Sequence, residues 1–146
     1  MSVYKNNRAK EWLQDCKKLK TTIAYCNEII NDPSVYQSPG FEERVSATGG
    51  NSTERKTNAV IARIGKAVQD RQKAMDELAK RHAAIQMLPD ADEKIVLTLR
   101  YLKGYKWEQI EKWLHDHSRT DDVNVWAIST LYAIHKSALG HIKIIE

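Results

Sequence analysis

Ala9, Trp12, Cys16, Leu19, Ile23, Cys26 and Ile30 recur at alternating intervals of three and four. Alternation of that kind keeps every residue on one side of a helix, so the segment predicts a long helix with a heptad seam. Asp32-Pro33 stops it, because the residue before a proline is pushed out of the helical region. A polar stretch through Ser38-Pro39-Gly40 and Gly49-Gly50 then predicts a loop over about residues 32–51, longer than a simple connection needs. A second helix is expected from Asn51 or Ser52, where Asn51 and Glu54 have capping-box spacing, to about Leu88. Its seam reads Thr57, Ile61, Ile64, Val68, Arg71, Met75, Leu78, His82 and Ile85, with Arg71 and His82 interrupting the apolar stripe. Polar residues at seam positions commonly set register or partner choice.

The pattern changes at Leu88-Pro89-Asp90, where Asp90 and Glu93 repeat the capping-box spacing and three shorter helical patterns follow. Ile95, Val96, Leu99 and Leu102 form the inner face of the first, closed by Lys103-Gly104. Trp107, Ile110, Trp113 and Leu114 do the same for the second. Val125, Ile128, Leu131, Tyr132, His135, Ala138, Leu139 and Ile142 form a longer last helix. The expected architecture is all-α: residues 1–88 as a heptad-patterned helical hairpin, and residues 89–146 as a helix-turn-helix domain. Neither seam is wide enough to close a globule, so pairing with a second subunit or with the C-terminal segment is expected. Ile23, Ile64 and Met75 are the candidate oligomerisation residues of a homodimer.

A chain of 146 residues with 42% hydrophobic content can bury a modest core, which excludes a large multidomain enzyme. No apolar run approaches the ~18 residues of a membrane span, and no signal-peptide pattern opens the chain, so a cytoplasmic protein without membrane contact is expected. Cys16 and Cys26, ten residues apart on one helix, cannot bridge each other and read as reduced core thiols. The net charge of +4 permits nucleic-acid binding without demanding it. Its distribution is uneven. Residues 1–31 carry six basic and three acidic groups and residues 52–88 carry eight and four, whereas residues 89–146 carry eight and nine.

Leu88-Pro89, Lys94-Ile95-Val96-Leu97, Leu99-Arg100-Tyr101-Leu102, Gly104, Trp107-Glu108-Gln109-Ile110 and Leu114 together resemble the fourth region of bacterial sigma factors. Ser129 through Leu139 resembles the recognition helix of the phage ArpU/RinA-type transcriptional regulators, and the basic helix entered through Ser52-Thr53-Glu54-Arg55-Lys56 resembles the one preceding their sigma-like region. The resemblance spans about residues 52–142. It implies a DNA-binding regulator of phage late or packaging genes with residues 125–142 laid in the major groove. This chain carries Glu111 where such proteins commonly place Ala. It also has a longer interval from Leu114 to Ser129, so that either the last helix starts early, near Asp122, or an inserted loop precedes it.

On that reading Ser129, Thr130, Ala133 and Lys136 are the candidate base contacts, and Arg119 in the turn is a candidate backbone contact. Lys66, Lys73 and Lys80 recur every seven residues opposite the second seam; they can track DNA phosphates or form a solvated face. His115 and His117 are two apart, whereas a helical zinc pair uses three or four, so they read as solvated histidines and no metal or cofactor is expected. No nucleophile motif, phosphate-binding glycine loop or paired carboxylates in an apolar setting occur, and no enzymatic activity is expected. Three functions therefore compete. They are a phage or prophage transcriptional regulator binding double-stranded DNA, a small terminase subunit binding packaging-site DNA, and an interaction module binding RNA polymerase or another regulator.

Overall fold

The computed structural model describes residues 3–32, 51–118 and 125–146. Every regular element among them is helical: α1 (Val3–Asn31), α2 (Asn51–Gln86), α3 (Ala91–Leu97) continuing into a π-helical stretch (Thr98–Leu102), α4 (Trp107–His117) and α5 (Ile128–His141). The all-α expectation holds. Arg119 and all but the ends of the expected 32–51 loop lie outside the described residues. The last helix starts later than expected, because Ala127 is extended (φ −59°, ψ 150°) and the first helical bond runs from Leu131 N to the Ala127 carbonyl at 3.0 Å.

The chain divides into two compact units, residues 1–18 with 77–146, and residues 19–76. The sequence boundary at 88/89 falls inside the first unit instead of between the two. The reason is a core that joins residues from both sides of it: Ala9, Leu13 and Cys16 of α1, Ala84, Ile85 and Leu88 at the end of α2, Leu97 and Tyr101, and Ala138, Leu139 and Ile142. A second core in the same unit contains Val96, Leu99, Ile110, Leu114 and Leu131, with Trp107, Trp113 and Trp126 packed against it.

The segment from Ala91 to Leu102 serves both cores. Asp90 caps its start, its carboxylate accepting from Asp92 N at 2.8 Å and Glu93 N at 3.3 Å. The π-helical stretch has a wider turn than an α-helix. Lys103 N bonds Thr98 O at 2.9 Å, and Gly104 at φ 73° turns the chain out. Val96 and Leu99 thus enter one core while Leu97 and Tyr101 enter the other, so the single inner face read from the sequence is in fact two faces.

The seams of the long helices were only partly legible. In α1, Ala9, Cys16 and Cys26 are buried as expected, but Leu13 is fully buried where Trp12 was placed. In α2, Ile64, Arg71, Leu78 and Ile85 belong to the inward stripe, whereas its alternate positions are Ala67, Ala74 and Arg81. The expected Ile61, Val68, Met75 and His82 lie one residue further along and are exposed, the first three at 61%, 40% and 47%. Alanine lets two helix backbones approach closely, and the bulky neighbours are then turned outward.

Arg81, not His82, is the buried cation of α2. In the first unit its guanidinium donates to Trp12 O at 2.9 Å, meets Glu77 at 2.9 Å and Asp15 at 3.5 Å, and lies 4.7 Å over the Trp12 ring. These partners satisfy a charge whose isolated burial would be costly. In the second unit Arg71 is half-buried and donates to Asn27 Oδ1 at 2.9 Å.

Candidate functional site

α5 is held on one side and open on the other. Leu131, Ala138 and Leu139 are buried, while Ser129, Thr130, Ala133 and Lys136 are all exposed. Ser129, Ala133 and Lys136 follow at four and three residues, so they form one strip, with Thr130 along its flank. The strip offers two hydroxyls, a methyl group and a cation. Such groups can read hydrogen-bonding edges, apolar substituents and negative charge on a partner.

Tyr132 borders the other flank of this strip and is 50% exposed, although its spacing in the sequence placed it among the core positions. The signal against burial was present: Ile128, Leu131, His135, Ala138 and Ile142 complete a regular three-and-four pattern without it. Val125, also read as core, is exposed as well. Tyr132 is nevertheless braced, because its ring meets Trp107 edge-on at 5.0 Å and 86°. Trp107 in turn lies 4.9 Å under the Arg100 guanidinium, whose Nη1 donates to Tyr105 O at 3.1 Å. A half-exposed aromatic ring fixed in this way loses little conformational freedom on binding.

Beneath the strip, His135 Nε2 and the Tyr101 hydroxyl are 2.7 Å apart, and the two rings stack at 5.8 Å. Burial, helped by Lys10 and Arg100, pushes the His135 pKa down to about 4. Burial pushes Tyr101 up to about 12. At neutral pH the imidazole is therefore uncharged, and the phenol donates to Nε2. This pair supports α5 from below and leaves the positive charge of the strip to Lys136.

Of the candidate backbone contacts, Lys66 and Lys73 are exposed in the second unit. Lys80 lies in the first unit, half-buried, with its ammonium 2.9 Å from Glu77 Oε1. That ion pair, with Arg81 beside it, holds the Glu77 pKa below the ordinary carboxylate value. Ile23 and Ile64 are half-buried and Met75 exposed, all in the second unit.

His115 and His117 are exposed at the end of α4. His117 stacks on Trp113 at 4.1 Å and its Nδ1 is 2.7 Å from Trp113 O, contacts that account for its position through its neighbour on the same helix. Among the described residues no group of three His, Cys, Asp or Glu side chains is placed to hold a metal ion. No described helix is long and apolar enough to cross a membrane. Compared with known proteins, the chain matches no family model, no curated protein and no solved structure.

Proposed function

We propose that this protein is a DNA-binding transcriptional regulator of the phage ArpU/RinA type, acting as a homodimer. The observation that carries the reading is α5, anchored by Leu131 and Ala138 and presenting Ser129, Thr130, Ala133 and Lys136 outward. In this reading α4 and α5 form a helix-turn-helix, α5 enters the major groove, and Tyr132 adds an apolar contact to the base-reading strip. Lys66 and Lys73 contact phosphates, which position the protein without reading sequence. The outward Ile61, Val68 and Met75 support pairing of two copies through the basic helices, since exposed apolar residues at heptad spacing suit a second helix.

The test is a salt titration of affinity on DNA from the intergenic region beside the gene and on a scrambled control. Thr130→Ala or Ser129→Ala should narrow the gap between the two DNAs by about 1 to 3 kcal/mol for each good base interaction removed. Lys66→Gln and Lys73→Gln should weaken binding to both alike and flatten the salt slope by about one unit for each phosphate that is no longer neutralised. Equal, weak affinity of the wild type for both DNAs would remove the regulator reading. Specific binding by a ring-sized assembly in light scattering would favour a small terminase subunit.

A further inference from the structure

The outward face of α5 has a one-sided chemistry. From Ser129 to Lys136 its exposed side chains are Ser129, Thr130, Tyr132, Ala133 and Lys136. The next polar groups along the helix are engaged within the protein. Ser137 Oγ donates to Glu93 Oε1 at 2.7 Å, and His141 Nδ1 lies 2.9 Å from the same oxygen. Glu93 is buried, so it does not reach back to close the capping box that its spacing suggested. No Arg, Asn, Gln, Asp or Glu stands among the five exposed residues. Arg grips guanine and Asn or Gln grips adenine through two hydrogen bonds, and a carboxylate suits the amino group of cytosine. This face offers none of those groups, and only Lys136 can meet guanine, as a flexible point charge.

Its larger offering is carbon. Around the helix axis Ala133 lies between Tyr132 and Thr130, so two methyl groups and an aromatic ring share the face. The one apolar feature that base edges present in the major groove is the C5-methyl of thymine. Tyr132 is also a fixed wall. Trp107 meets both Tyr132 and His135 edge-on, each at 5.0 Å, and His135 is tied to the Tyr101 hydroxyl at 2.7 Å. A wall that cannot collapse leaves a void where a methyl group is missing, and that void makes discrimination possible. We propose that α5 selects thymine, reading its target chiefly through C5-methyl groups seated against Thr130, Tyr132 and Ala133. Ser129 and Lys136 add single hydrogen bonds. The inference rests on the regulator reading and names the base that the strip recognises.

The experiment measures the affinity of the full chain for the intergenic DNA beside the gene, for the same duplex with uracil at every thymine, and for a scrambled control in both forms. Uracil pairs as thymine does and lacks only the methyl group. Burial of one methyl corresponds to about a fourfold change in affinity, so with two or more the uracil duplex should bind at least about tenfold more weakly. The two scrambled forms should bind alike. Thr130→Ser removes one methyl and keeps the hydroxyl, and Tyr132→Ala removes the wall. Each should cut the preference for thymine over uracil by about threefold or more, whereas Ser129→Ala should weaken both duplexes and leave that preference unchanged. A wild type that prefers the intergenic DNA equally with thymine and with uracil would overturn the proposal and leave the regulator reading standing. So would an undiminished thymine preference in both Thr130→Ser and Tyr132→Ala. Equal affinity for intergenic and scrambled DNA would remove the regulator reading and the proposal with it.

Discussion

The first unit buries its large side chains, whereas the second buries its small ones. Around α4 and α5 the fully buried residues are Val96, Ile110 and Leu131, with tryptophans packed at the edges. In residues 19–76 the most buried positions are Cys26, Ala67 and Ala74, while Tyr25, Ile61, Val68 and Met75 face outward. Burial of a large aliphatic side chain contributes about 1.5 to 3 kcal/mol, so a core of leucines and isoleucines stabilises a unit by itself. Alanines contribute little area. A region built on them depends on close backbone approach or on further association to cover its outward apolar residues.

Ile110→Ala tests the first half of this contrast and should have the largest effect. It empties a fully buried site and is expected to lower stability by about 2 to 5 kcal/mol in denaturant melts. A negligible change would mean that the first unit is not held by its large side chains. Ala74→Leu tests the second half. Overpacking a buried alanine should destabilise by about 1 to 3 kcal/mol, whereas Met75→Ser, one residue away, should alter folding by less than about 0.5 kcal/mol and lower the mass seen by light scattering. The reverse order of these two would restore the stripe of Ile61, Val68 and Met75 as the buried one.

A separate effect is a pH dependence confined to the first unit. The folded His135 titrates near 4 and the unfolded ring near 6.5, so between those values the unfolded chain binds more protons. Stability should therefore fall as pH drops from about 6.5 to about 4, through the neutral ring's loss of its buried state. In the alkaline direction Tyr101, held near 12 against an ordinary 10, should cause a second decline as pH rises from 10 to 12. His135→Phe should remove the acid contribution and leave the alkaline one, as read from denaturant midpoints across pH. An unchanged acid slope in that variant would place the titrating group elsewhere.

The same contrast explains what the sequence revealed. Bulky apolar residues dominate a helical period, so Val96, Leu99, Ile110, Leu114 and Leu131 are legible where burial follows size. In α2 the bulky Ile61, Val68 and Met75 outweigh Ala67 and Ala74 in the pattern, and the stripe drawn through them meets His82 in place of Arg81. The contacts to Trp12 O and Asp15 that make the burial of Arg81 tolerable come from α1, distant in the sequence, and only Glu77 lies one turn away on the same helix. The outward strip Ser129, Thr130, Ala133 and Lys136 was legible from helical geometry alone. Its Tyr132 border was not, because the brace that lets a tyrosine stand half-exposed is Trp107, on another helix. Glu93 was legible as a capping residue but not as the partner of Ser137 and His141, for the same reason.

The segment from Ala91 to Leu102 also governs how the first unit comes apart. Because neighbouring residues such as Val96 and Leu97 sit in different cores, neither core can loosen without withdrawing side chains from the other. The two cores are thus one cooperative element. Amide exchange at the backbone bonds closing this stretch, Lys103 to Thr98 and Tyr105 to Leu99, reports their shared opening, and heat should melt both cores in a single transition.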